Sequence, residues 1–488
     1  MYIIFFIFLI SLIPLINFLL KRYLKIPKHP YYKLSYNEKK EIIEEKFSKI
    51  KSSKIKLKKY TSNIFRKRNI ENNKNFLLDL NYLTEIIDID LENKIIHTEG
   101  LITFEKLLSE TLKYHLIPKI IPEFKSLTVS GTISGLGIES SSFKYGLVPD
   151  MITEMEILLG TGEIIIANKD INSDIFYGIP NSYGSFGYIL SAKIELIEAK
   201  LYVKTENILF TNPSDFIKEI KKYDNLNNPC DKFNNIDFLD GVIFNPNEMY
   251  LIKGKMTDYN PFPNKFKLSK YHYDIYYKSI KKHRNDLLKI EDYIWRYDSN
   301  IFYSKGIVSN KLFRYFMGDL LTTSNLKRLG EYIRYSLKKY FNYNINNNKT
   351  YYENVPNDLS IPLNNFETFL NWFDENLGNY PVWICPYFVK NPYKFFENSK
   401  NLELDFGINF GHNMGIKSYH KDRNYYKKLI DKKMYEMKKN KGLYPKTFLS
   451  EKQFWELYDK DNVYFELKNK YDPFNRFWNL FEKTVKSF

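Results

Sequence analysis

Residues 127–146 read LTVSGTISGLGIESSSFKYG, and the fold turns on what that stretch does. It holds four glycines (Gly131, Gly135, Gly137, Gly146), five serines and two threonines, with Glu139 and Lys144 as its charges. Glycine lets backbone come close to a ligand and adopts positive φ at little cost. Successive peptide N–H groups in such turns form concave nests for phosphate oxygens, and small hydroxyls add donors. On composition the stretch admits two readings, a backbone cradle for a diphosphate-containing cofactor or a plain Ser/Gly loop. Gly135-Leu136-Gly137-Ile138-Glu139-Ser140 comes one residue short of GxGxxG, with Ser140 in the third place. A Rossmann turn needs a helix directly after it. Ser140–Gly146 shows no helical periodicity and ends in glycine, so the Rossmann reading is set aside and the cradle is kept.

Outward from the stretch, EMEILLGTGEIIIAN (154–168) predicts a hairpin around Gly160-Thr161-Gly162. Asp170–Pro180 reads as loop or short helix. YGSFG (183–187) is a second small-residue turn, and Tyr188–Ile197 an apolar strand. On the other side, Thr103 caps a helix to about His115 that carries Phe104, Leu107, Leu108 and Leu112 at helical spacing. Residues 76–99 read as strands with a short helix between them, and 38–47 as a short amphipathic helix with Ile42, Ile43 and Phe47 on one side. From about Leu201 the chain becomes rich in Tyr, Phe and Lys. Helices are expected near 270–290, 311–340 and 364–377, and strands in YPVWICPYFV (380–389) and LELDFGINF (402–410). The tail carries a helix near Glu451–Tyr458 and the phrase KYDPFNRF (470–477). No internal repeats are evident.

A chain of 488 residues, 44% hydrophobic and 17% aromatic, has ample material for a packed core. Its net charge of +16 is spread along a chain saturated with Lys, Asn, Ile, Tyr and Phe, and no nucleic-acid-binding motif accompanies it. Coding bias explains the basicity, and no nucleic-acid partner is expected. Residues 2–20 are nineteen uncharged residues, long enough to span a ~30 Å hydrocarbon core. No basic segment precedes them and no small-x-small cleavage site follows, which favours an anchor over a cleaved leader. Lys21, Arg22, Lys25 and Lys28 come directly after, placing the body in the cytosol by the positive-inside rule. Between Lys21 and Arg68, seventeen Lys/Arg face four Glu, a cluster that suits either anionic lipid or a solvated linker. The only cysteines, Cys230 and Cys385, exclude a disulfide framework. Seven scattered histidines give no metal motif, and no Gly-x-Ser-x-Gly supports a hydrolase.

The order of these pieces resembles the PCMH-type FAD-binding fold of the vanillyl-alcohol oxidase superfamily, and within it the Δ24-sterol reductases (the Diminuto/seladin family). The likeness is carried by LTVSGTISGLGIESSSFKYGL (127–147), NSDIFYGIP (172–180), YGSFGYILSAKIELI (183–197), FLDG (238–241), YPVWICPYF (380–388), LELDFG (402–407) and EKQFWELY (451–458). It implies an α+β protein with a transmembrane anchor at 1–22 and a basic juxtamembrane linker at 23–40. A PCMH-type FAD-binding domain follows at 41–200, then an inserted α/β cap for substrate at 201–440 and a return segment at 441–488. The implied activity is reduction of the side-chain Δ24(25) double bond of a sterol by NADPH through non-covalent FAD, at the endoplasmic reticulum membrane.

By the same resemblance the FAD diphosphate is wrapped by Thr128, Val129, Ser130, Gly131, Thr132, Ile133, Ser134, Gly135, Leu136, Gly137, Ile138, Glu139, Ser140 and Ser141, chiefly through backbone N–H groups. Gly146, Gly184, Gly187 and Asn475 lie beside it. Glu139, Lys144 and Tyr145 are the titratable groups nearest the cradle and the candidate catalytic residues, and Asp405 is a candidate in the cap. Trp383 and Tyr387 offer aromatic faces for a transient cation. The chain departs from the family's pattern at Phe143 (His there), Ser130 (Gly) and Asn181 (Trp), and TSNIFRKRN (61–69) has no Arg-Pro/Pro-Trp phosphate loop. Two other readings stay open: an FAD-linked alcohol or lactone oxidase of the same fold, and a membrane-anchored sterol-binding protein that has lost FAD.

Overall fold

The computed structural model describes residues 29–50, 54–58, 75–224, 235–259, 274–300, 309–326, 328–329, 351–397, 401–408, 416–418 and 420–486. The expected anchor over 2–20, the phosphate-loop segment 61–69 and Cys230 lie outside them. Among the described residues no helix is long and apolar enough to cross a membrane.

The first helix, Tyr36–Ser48, starts where the sequence provides a cap. The Ser35 N–H donates to the Glu38 carboxylate at 2.7 Å, and the Glu38 N–H returns to the Ser35 hydroxyl at 3.4 Å. Ile43 and Phe47 turn inward from it. The helix Phe104–Thr111 has its cap at Thr103 and buries Phe104, Leu107 and Leu108. Each such side chain contributes about 1.5–3 kcal/mol when fully withdrawn from water.

The first sheet is antiparallel, in the order Ile86–Asp90, Ile95–Glu99, Gly187–Glu198, Ile152–Leu159, Ile164–Asn168. The hairpin 152–168 forms as its alternation requires, and Gly162 turns it with φ +98°. Residues 76–99 hold strands at Asn75–Asp79, Ile86–Asp90 and Ile95–Glu99 joined by turns, with no helix between them. Five-residue β-branched runs are too short for a helix and fit a half-buried pleat. The core under this sheet gathers Ile96, Leu107, Ile133, Ile157 and Ile189, and also Phe454, Tyr464 and Leu480 of the tail. The chain therefore returns to its first sheet at its end.

The second sheet has seven strands in the order Asn285–Lys289, Tyr202–Phe210, Glu248–Thr257, Phe238–Asn245, Val382–Tyr387, Glu403–Ile408, Asn357–Pro362. Successive side chains in a strand point to opposite faces. One face carries Leu239, Ile243, Val382, Ile384, Leu404, Phe406, Leu359 and Ile361, which pack with Phe216, Phe369, Leu370 and Phe373 from the helices Pro213–Ile220 and Phe366–Asn376. The opposite face carries Asp240, Trp383, Cys385, Asp405 and Asp358, and its Val242, Trp383 and Cys385 join the core of the first sheet.

Two regions differ from the sequence reading. The span 270–290 holds a short helix, Tyr276–Ser279, and an edge strand, Asn285–Lys289, in place of one helix. Of the helix expected over 311–340, the described residues hold Lys311–Met317, a break where Gly318 takes φ +49°, and helix again at 323–326 and 328–329, while 330–340 lie outside them.

Candidate active site

The stretch 127–146 is less loop-like than its composition suggests. Val129–Ser134 is a helix of six residues that buries Val129, Thr132 and Ile133. Ser130, Gly131 and Ser134 turn outward, half-exposed, and Gly135 to Ile138 continue the same strip. Part of its backbone is occupied inside the protein. The Val129 N–H donates to Ile102 O at 3.1 Å, Ser130 N–H to Gly100 O at 2.8 Å and Gly137 N–H to Thr132 O at 2.8 Å.

What the strip presents is two serine hydroxyls and little side-chain bulk. A Cβ on Gly131 meets only Thr128 Oγ1, at 2.9 Å. At Gly137 a Cβ runs into Val148 at 2.7 Å, so that glycine serves close packing of the cradle on its own support. A long, uncharged, small-residue strip with free hydroxyls suits the diphosphate and ribityl portion of FAD.

The second turn is bonded to the first. The Tyr183 N–H donates to Ser134 O at 3.2 Å, and Gly184 has φ +74°. Gly187 starts the central strand, where a Cβ collides with Leu158 O at 2.6 Å. Two lysines from the tail brace this turn. Lys468 Nζ donates to Ser185 O at 2.7 Å, and Lys483 Nζ to Tyr183 O at 3.2 Å and to Gly184 O. Asn475 sits exposed at φ +49°, its side-chain oxygen accepting from Lys54 Nζ at 2.8 Å. The contact of the tail with the second turn thus runs through Lys468, Lys483 and Tyr464, whose ring centre lies 4.9 Å from that of Phe186.

Glu139 ends the cradle in a buried ion cluster. Arg296, with no exposed surface, places Nη2 2.8 Å from Glu139 Oε1 and 3.1 Å from Asp240 Oδ2. Its Nη1 donates to Tyr293 O at 3.1 Å, and its guanidinium lies 4.2 Å and 4.7 Å from the ring centres of Tyr293 and Tyr297. Tyr297 OH and Trp383 Nε1 also donate to Asp240 Oδ2, at 2.9 and 3.0 Å. Burial pushes the Glu139 carboxyl up while Arg296 opposes it. Burial and the Glu139 charge hold the neighbouring Glu123 well above the usual carboxylate range.

Lys144 and Tyr145 sit apart from this cluster, on the short helix Ser142–Tyr145. Lys144 Nζ is 3.6 Å from Asp237 and donates to Ile236 O at 3.4 Å, and burial pushes the Tyr145 phenol up to about 12. The departures from the family pattern have local explanations. Phe143 is buried edge-on against Tyr223, with ring centres 6.2 Å apart. Asn181 takes φ +63°, which asparagine tolerates, and its side-chain amide donates to Phe395 O at 2.7 Å.

The sequence reading missed Arg296, Asp240, Asp358 and Tyr444 as site residues. Asp240 stood inside FLDG and Arg296 inside an aromatic run, IWRYD (294–298), whose lone cation was a usable signal. For Asp358 and Tyr444 there was none.

A further buried contact joins the segment after Val382–Tyr387 to the turn following the cradle. Tyr393 OH and the Asn391 amide donate to Asp150 Oδ1 at 2.6 and 2.9 Å, and Leu147 N–H to Oδ2 at 2.7 Å. Burial nevertheless raises Asp150 from 3.8 to about 6. Between about pH 4 and 6 the native state then holds a proton that the unfolded chain has lost. Stability from this group increases as pH falls through 6 and is absent above it. Asp150→Asn is expected to flatten that part of the urea-midpoint profile, by up to roughly 3 kcal/mol. An unchanged slope between pH 4 and 6.5 contradicts the assignment.

Residues 59–168 match the family described as the FAD binding domain, a span that includes the cradle up to the end of the hairpin. With the mixed α/β fold and the cradle, this defines an FAD-dependent oxidoreductase. The chain is similar to Delta(24)-sterol reductases from several species. It is 25% identical to those of Macaca fascicularis and Homo sapiens over 434 residues, 85% of this chain and 78% of each relative. It is 24% identical to that of Arabidopsis thaliana over 453 residues, 85% of this chain and 77% of that protein.

Proposed function

We propose that this protein reduces the Δ24(25) side-chain double bond of a sterol, with NADPH reducing a non-covalently bound FAD. The observation that supports it is that the small-residue strip 128–141 packs, through Leu136 and Ile138, with Tyr387 on the acid- and aromatic-bearing face of the seven-stranded sheet. In this reading 41–200 and 441–488 hold FAD and 201–440 is the cap over the sterol. The apolar stretch 2–20 anchors the body on the cytosolic side of the endoplasmic reticulum membrane, with the basic residues after it at the lipid surface.

Bound FAD supplies hydride transfer, first accepting from NADPH and then giving to the sterol. The chain's residues do the rest. Ser130, Ser134 and the open backbone of Gly131 bind the diphosphate, and Lys468 and Lys483 hold the second turn against the strip. An isolated trisubstituted alkene accepts hydride only when positive charge develops on it, so a proton must reach C24 as charge forms on C25. Trp383 and Tyr387, both buried, provide a dry wall with π faces for that charge. Arg296 fixes Glu139 at the end of the strip, and Lys144 and Tyr145 close its edge.

The test is direct. Purified protein is expected to carry FAD that NADPH bleaches anaerobically and that a Δ24 sterol, but not its saturated product, reoxidises. Preparations lacking flavin absorbance and any FAD-dependent thermal shift sink the reading. Reoxidation by O₂ alone, indifferent to sterol, favours an oxidase.

A further inference from the structure

Asp405 and Asp358 occupy the face of the seven-stranded sheet that looks toward the cradle. Antiparallel pairing sets Ser360 opposite Asp405 and Asp358 opposite Gly407, which makes the two aspartates diagonal neighbours on adjacent strands. Cys385 lies directly across from Asp405 on its other side. Asp405 is buried and Asp358 partly so, and among the described residues neither forms an ion pair with a lysine or arginine. The Tyr444 hydroxyl lies beside Asp358 and opposes its rise, and the Leu359 N–H serves one oxygen of Asp405. The other oxygen, Oδ2, is buried with no hydrogen-bond partner, on a residue that is only 4% exposed.

Neighbouring carboxyls with no countercharge disfavour each other's ionised form, and the more deeply buried Asp405 is the one that holds its proton. Burial raises both, and Asp358 raises Asp405 further. Glu139 differs: Arg296 sits on its oxygen and favours the ionised form. A carboxylic acid whose free oxygen faces the interior has a proton to give and nothing in the protein to give it to.

We propose that Asp405, whose ionised form the neighbouring Asp358 disfavours, is the catalytic acid that protonates the substrate alkene from the cap side. This rests on the sterol-reductase reading above. In the step the Oδ2–H bond breaks and the π pair forms a C24–H bond. Asp405 remains as carboxylate and a solvent proton restores the acid. Bound reduced FAD would supply the hydride for the C25–H bond and so the two electrons of the reduction.

The experiment uses full-length holoprotein in detergent and compares wild type with Asp405→Asn, a change that preserves shape. Infrared spectra of the oxidised enzyme are expected to show a protonated-carboxyl band, sensitive to D₂O, that disappears in the variant. Sterol-driven flavin reoxidation should slow by about 10²- to 10⁴-fold, the usual worth of a positioned acid. FAD content and NADPH bleaching should be unchanged. Asp358→Asn, which leaves Asp405 in place without its charged neighbour, should slow the same step by a smaller factor, and it decides the matter if Asp405→Asn does not fold. Wild-type reoxidation rates in the variants, or no protonated carboxyl, overturn the proposal. If sterol fails to reoxidise even the wild type, the functional reading falls instead, and the infrared band still reports whether Asp405 holds its proton.

Discussion

Replacing Arg296 by leucine is expected to cost about 3–5 kcal/mol of stability, the scale seen when one partner of a buried ion cluster is removed. The loss comes from what stays behind. Glu139 keeps the Ser140 N–H at 2.9 Å, and Asp240 keeps Tyr297 OH and Trp383 Nε1, but no cation remains between two enclosed carboxyls. Removing the orphaned charges should undo most of it. Arg296→Leu combined with Glu139→Gln and Asp240→Asn is expected to regain more than half the loss, because the three residues act as one network. Urea unfolding of the single, double and triple variants measures this directly. A single variant within about 1 kcal/mol of wild type refutes the cluster's role. The network also links the two sheets, since Glu139 ends the cradle while Asp240 and Trp383 belong to the seven-stranded sheet. Flavin content should therefore fall in Arg296→Leu and recover with the triple variant.

Local signals carried far in this chain where one rule acted alone. Thr103 before Phe104-Glu105-Lys106-Leu107 gave a cap and an inward stripe, and both stand. The alternation across 154–168 gave a hairpin, and the apolar run from Tyr188 gave the central strand. The cradle reads as an FAD element only through its surroundings, and the span 59–168 that matches the FAD binding domain includes it. Its helix was missed because glycine and serine mask the i, i+3, i+4 set of Val129, Thr132 and Ile133. The edge strand Asn285–Lys289 was missed for the opposite reason. Its two leucines and one lysine are good helix formers, and only pairing with Tyr202–Phe210 makes it a strand.

The candidate site was legible on one wall alone. The cradle is contiguous in sequence, whereas Asp240, Arg296, Asp358, Asp405 and Tyr444 come from five separate segments. Sheet register brings several of them onto one face, and register between strands far apart in sequence leaves no local trace. Asp405 could be suspected as an acid in a strand, but its partner Asp358 could not.

Lys39→Met is the second substitution with a large expected effect, and its size should depend on pH in a defined direction. Lys39 Nζ lies 2.8 and 3.0 Å from the two oxygens of Glu99, and neither residue is more than 1% exposed. The pair fastens the helix Tyr36–Ser48 to the strand Ile95–Glu99, and Tyr36 OH adds a bond to Glu156 at 2.7 Å. This helix follows the basic residues after the apolar stretch, so the pair joins the body to its proposed anchor. Methionine fills the space of the lysine stem but leaves Glu99 enclosed with the Glu85 N–H as its remaining donor. Burial already raises the Glu99 carboxyl, with Lys39 as the chief opposing influence. Without Lys39 the folded state must take up a proton there, and an acid raised in the folded state loses stability as pH rises above its unfolded value. The variant's deficit is expected to reach about 3–5 kcal/mol near pH 8 and to shrink toward pH 5. Lys39→Met with Glu99→Gln should recover most of it and remove the pH dependence. Urea midpoints at the two pH values, with limited proteolysis following release of residues 29–50, provide the readout. A deficit equal at both pH values means that packing of the lysine stem, and not the buried charge it neutralises, holds the first helix in place.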